Sequence, residues 1–175
     1  MEEHNARPER QNIRSIRVPA MIYPYSSGLA GGLLGGLAMI PVAVAYGLLS
    51  GTGIWYPVNL IAATVFRSWQ QASPEQLAQF SLAGLLVGLL IHLAMSLTLG
   101  FIFAVMLPAL PRNPIFWALV VGPVLWAGAI FDWLPLFNPV MARNVDLLSF
   151  GIANITYSLV LGWWVIRTPK VPAES

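Results

Sequence analysis

The stretch Ser26-Ser27-Gly28-Leu29-Ala30-Gly31-Gly32-Leu33-Leu34-Gly35-Gly36 opens an uninterrupted apolar run that continues to about Ser50. It carries two glycine rows at helical spacing, Gly28/Gly32/Gly36 and Gly31/Gly35. In water this would be a poor helix, because each glycine costs about 1 kcal/mol relative to alanine. In lipid the same rows let a second helix backbone approach closely and pack by van der Waals contact. The run therefore reads as a packing seam in a membrane helix.

Composition points the same way. Of the 175 residues, 57% are hydrophobic and 9% charged, whereas soluble domains carry about 25% charged residues. With a mean hydropathy of +0.71, too few charges remain to solvate a globular surface. The net charge is +2, and the basic residues sit at the ends of apolar segments. They form no patch interleaved with aromatics, which argues against a nucleic-acid partner. The absence of cysteine excludes disulfides, iron–sulfur clusters and cysteine nucleophiles. A polar start followed by a long apolar run predicts an uncleaved first membrane helix rather than a cleavable signal peptide.

The expected fold is all-α and integral to the membrane. Four transmembrane helices, at about 28–50, 80–107, 115–131 and 147–166, form one domain over 26–168 between cytoplasmic tails 1–25 and 169–175. Arg7, Arg10, Arg14 and Arg17 recur at intervals of three and four. They form either a helical stripe on anionic lipid, at roughly 1 kcal/mol per basic side chain, or a disordered positive-inside tail. Tyr23 and Tyr25 stand where an interfacial aromatic belt would be. Pro41 predicts a kink near Leu37 and a carbonyl that a neighbour must satisfy.

After the first helix, the apolar segment 54–66 is too short to span, which predicts an interfacial or re-entrant piece. Trp55 and Tyr56 mark its water boundary. Ser73-Pro74-Glu75-Gln76 reads as a capping box and predicts a second helix running from 74 to 107. Along it Gly84, Gly88, His92, Ser96 and Gly100 recur every four residues, a natural counterpart to the first seam. A third helix ends beside Asp132 and Trp133, and Asn138-Pro139 starts another short segment. The fourth helix carries Asn154 and Ser158. Counting Arg7, Arg10, Arg14, Arg17, Arg112, Arg167 and Lys170 against Arg67 and Arg143 predicts both termini in the cytoplasm.

The two halves also align. His92, Ser96, Leu97, Leu99 and Gly100 fall in register with Asn154, Ser158, Leu159, Leu161 and Gly162, and Trp55/Pro57 with Trp133/Pro135. Two hairpins of one orientation constitute a parallel repeat about the membrane normal.

His92 is the sharpest chemical candidate, since ionisable groups inside membrane helices are functional hypotheses by default. Four readings stand open: a neutral interhelical hydrogen bond, a quinone or lipid contact, a metal or haem ligand paired with a methionine such as Met39 or Met95, and a proton relay through Asn154, Ser96 or Ser158. Asp132 is expected to pair with Arg143 or Arg67. Neither a nucleotide loop nor a catalytic triad nor paired carboxylates can be found. No cofactor is expected, and the chain reads as a non-enzyme.

The four glycine-rich helices with W-x-P loops resemble the small, uncharacterised multi-pass membrane proteins of bacteria over about residues 28–164. That resemblance implies architecture and carries no catalytic residues across. Three functions remain: an accessory subunit of a larger membrane assembly such as an electron-transfer complex, with other integral-membrane subunits and lipids as partners; a small transporter or channel with a polar line through His92; and a cofactor-binding membrane protein using His92.

Overall fold

The computed structural model describes residues 19–111 and 113–173. The tail arginines Arg7, Arg10, Arg14 and Arg17, and Arg112, lie outside them. Four helices are long and apolar enough to cross a membrane: α1 (Tyr25–Leu49), α4 with its 3₁₀ extension (Leu82–Ala109), α5 with its continuation (Pro114–Phe137) and α8 (Leu147–Arg167). Each exceeds the roughly 20 residues that a 30 Å hydrocarbon layer needs. Between α1 and α4 lie α2 (Tyr56–Ala62), a 3₁₀ turn (Arg67–Gln71) and α3 (Pro74–Leu77). Between α5 and α8 lie a π turn (Ala129–Trp133), α6 (Leu134–Phe137) and α7 (Pro139–Asn144).

Local chemistry explains most boundaries. Gly51 and Gly53, at φ of 74° and 89°, turn the chain after α1 in a conformation that side chains with a Cβ rarely adopt. The Ser73/Gln76 capping box forms as expected, with Ser73 N donating to Gln76 Oε1 at 2.8 Å. The helix it starts nevertheless stops at Leu77, where a run to 107 was expected. Asn59 is the reason. Its Nδ2 donates to Leu77 O and Gln79 O, both at 2.8 Å, holding the carbonyls that a continuing helix would use. Ser81 then caps α4 anew through Gly84 N. The third span is longer than expected, since the π turn carries it past Phe131 into α6. Asn138 caps α7 through Met141 N, and Asp146 caps α8 through Ser149 N at 2.7 Å.

The spans pack in the order α4–α1–α8–α5, with α1 and α8 in the middle. A two-fold axis would make the α1·α8 and α4·α5 contacts equivalent, but α1·α8 is the most extensive and α4·α5 is sparse. The hairpins therefore repeat their internal contacts without repeating the contact between them. One core joins Met39, Phe103, Ala118, Tyr157 and Leu161. A second, at the loop end, joins Tyr56, Leu60, Leu77 and Val140. A two-stranded pair, β1 (Met21–Ile22) with β2 (Val171–Pro172), ties the segment before α1 to the segment after α8. Lys170 Nζ sits over the Tyr23 ring at 5.0 Å.

Candidate polar sites within and above the bundle

The two glycine rows of α1 are both used inside the chain. Gly28, Gly32 and Gly36 face α4: a Cβ on Gly32 would lie 2.5 Å from Ser96 O, and one on Gly36 2.6 Å from Ser96 Oγ. Gly31 and Gly35 face α8, where a Cβ would come within 2.9 Å of Leu161 Cδ1 and 2.8 Å of the Tyr157 ring. The row on α4 divides in turn. Ser96 and Gly100 meet α1, whereas Gly88 meets Val58 and Gly84 meets Asn59 and Trp69. Gly84 and Gly88 thus seat the short helix α2, a use that spacing alone does not reveal.

Near the middle of the spans lies a polar layer. His92 Nε2 is 2.9 Å from Gly36 O, and because a carbonyl only accepts, Nε2 carries the proton there. The bonded carbonyl is one residue before Leu37, whose own i+4 donor Pro41 removes. Tyr157 donates its hydroxyl to Ser96 O at 2.7 Å, so α8 reaches α4 across the glycines of α1. Asn154 Nδ2 donates to Phe150 O at 2.8 Å, and Phe150 packs edge-on against Trp126 at 5.5 Å. Three polar atoms here are buried without partners: Asn154 Oδ1, Ser158 Oγ and Trp126 Nε1. Ser158, fully buried, has its hydroxyl against Gly122 of α5. Such orphans are costly, about 1–3 kcal/mol each.

Among the described residues, no group of three His, Cys, Asp or Glu is placed to hold a metal ion. Met39 belongs to the core cluster and Met95 is exposed. A dent of about 20 Å³ between α4, α5 and α8 is lined by Leu99, Phe103, Gly122 and Tyr157, room for no more than a water-sized guest.

The loop end holds a second polar set, one that helical spacing does not announce. Asn138 is fully buried; its Nδ2 donates to Leu60 O at 2.7 Å and to Thr64 Oγ1 at 2.9 Å. Gln70 Nε2 donates to Ala63 O, and Gln70 Oε1 accepts from Val140 N at 3.0 Å. These bonds stitch α2 of one hairpin to α7 of the other. The signal was the Asn that follows W-x-P in each half.

The outer-interface residues are scattered. Trp55 packs on Phe80 at 4.9 Å. Tyr56, expected at the water boundary, is buried, and that burial, with a smaller contribution from Tyr46, pushes its phenol above the usual range. Trp133 is exposed and stacks on Phe137 at 6.0 Å. The expected ion pair of Asp132 does not form among the described residues. Arg143 Nη2 instead donates to Gln70 O at 3.1 Å, because the buried carboxamide network presents that carbonyl to it. Comparison with known protein families, curated proteins and solved structures finds no match to this chain.

Proposed function

We propose that this protein is a non-catalytic subunit of a larger integral-membrane assembly, and that α5 is the helix it offers to its partner. The observation that carries this reading is the one-sided packing of α5. It is the least buried of the four spans, 11% against 39% for α8, and α8 is its one extensive helical neighbour. At its loop end a Cβ on Gly128 would meet only Asp132 Oδ2, at 3.9 Å. A small residue with open space lets a helix approach, and Asp132, whose carboxylate has no ion-pair partner among the described residues, calls for a cation at the membrane boundary. The partner is therefore a membrane helix with a basic side chain at that depth. An electron-transfer complex is one such assembly.

The proposed orientation puts both termini in the cytoplasm of a bacterial inner membrane. It is supported by the positive-inside balance and by the pairing of residues near both ends in one strand pair. Purification of tagged protein in mild detergent tests the reading. It should bring down a stoichiometric membrane partner, and Gly128→Leu and Asp132→Asn should each release that partner while leaving the chain monodisperse. A lone species that supports substrate-dependent flux in liposomes would replace this reading with a transporter.

A further inference from the structure

A cleft of about 470 Å³ opens in the loop region of hairpin α1–α4, against Ser81 at the start of α4. Its volume lies within the roughly 300–1,000 Å³ of small-ligand sites. Every side chain lining it is uncharged. Arg67 and Glu75, neighbours in sequence, do not line it, so among the described residues its lining offers a phosphate, carboxylate or ammonium group no counter-charge.

The lining is instead rich in carboxamides, with two aromatic rings. Gln71 and Gln79 line the cleft and both are exposed. A carboxamide offers a donor and an acceptor side by side, which matches hydroxyl groups that do both. Phe80, 59% exposed, and Trp69 supply apolar faces for the C–H face of a saturated ring. The wall is preorganised. Asn59, 2% exposed, pins the backbone at Leu77 and Gln79 from beneath, and the capping box holds Gln76.

We infer that this cleft binds a neutral, hydroxyl-rich group of one or two sugar rings. The chemistry is the same whether the ring is a glycolipid headgroup or a free saccharide. The cleft abuts the first residues of a span, where a lipid headgroup reaches it. The site lies on the hairpin opposite α5, so its failure and the failure of the subunit reading are separate events.

The test uses the full chain in phosphatidylcholine nanodiscs, reading the tryptophan indole resonance of Trp69, assigned with Trp69→Phe. Free maltose is titrated into one sample. In others the disc carries increasing glucosyl diacylglycerol or, separately, phosphatidylglycerol. The expected result is a saturable shift with maltose or with the glucosyl lipid, weakened at least tenfold in Gln71→Ala/Gln79→Ala, whose side chains make no hydrogen bond to the described residues. A response to maltose identifies a free saccharide, and a response to the lipid alone identifies a headgroup. Silence toward both, an unchanged response in the double variant, or equal saturation by phosphatidylglycerol overturns the proposal.

Discussion

In hairpin α1–α4, Ser96 and Gly100 lie against Gly28, Gly32 and Gly36, and His92 reaches Gly36 O. In hairpin α5–α8 the aligned row of Asn154, Ser158 and Gly162 lies along α5, with Gly122 at Ser158 and Ile115 and Ala118 at Gly162. There both polar side chains end in an orphaned atom. The same spacing thus brings helices together in both hairpins. The opposing surface decides whether the polar tips are met. Three glycines bring the backbone of α1 close enough to offer a carbonyl to histidine. In α5, Trp126 occupies the next turn after Gly122, and its own Nε1 is orphaned. Along its helix seam hairpin α1–α4 meets its polar tips, its one orphan being Asn59 Oδ1 in α2, whereas hairpin α5–α8 leaves the tips of Asn154, Ser158 and Trp126 unmet within the seam itself.

The largest expected effect falls where the two hairpins are stitched. Asn138→Ala removes a fully buried carboxamide that engages Leu60, Thr64 and Met141. It should lower stability by about 2–4 kcal/mol, from the lost bonds and the acceptors left behind. Unfolding in mild detergent measures this, and an unchanged midpoint would mean that the hairpins hold together without the loop network.

The next contrast lies between two glycines. Gly32→Ala forces a methyl against the backbone of Ser96 and Gly100, which cannot rotate away, and should cost about 1–3 kcal/mol. Gly122→Ala meets the Ser158 hydroxyl, which can turn about χ1, and should cost less than 1 kcal/mol by the same argument. Equal losses would remove the distinction between a closed and an open seam.

His92→Leu should cost about 1 kcal/mol, the scale of an interhelical hydrogen bond in lipid. Smallest is Ser158→Ala. Deleting an orphaned buried hydroxyl should leave the unfolding midpoint unchanged or slightly raised. A marked fall would show that the hydroxyl has a partner in the membrane.

Much of the architecture is legible in the chain because the physics is local. Apolar runs of twenty or more residues, Ser73 and Gln76, and Asn138 before Pro139 each declare a helix or its start. What escaped depends on partners distant in sequence. The break after Leu77 is made by Asn59, eighteen residues earlier. Gly31 and Gly35, which spacing alone leaves available to a partner, are filled by Tyr157 and Leu161 of the last helix. Tyr56 reads as an interfacial aromatic until Leu60, Leu77 and Val140 close over it. The candidate sites were less legible than the fold. His92 stands out in any apolar helix, whereas Gln70, Asn59 and Asn138 look like ordinary loop polars until their buried bonds are seen.

The proposal that α5 is the helix offered to a partner is tested most directly by photo-crosslinking in native membranes. A photoreactive residue is placed at Gly128 on α5 and, in a separate protein, at Leu86, an exposed position on α4. One discrete protein adduct is expected from position 128, lost on Asp132→Asn, with only lipid adducts from position 86. Lipid adducts alone from 128, or the same protein adduct from both positions, would contradict the proposal.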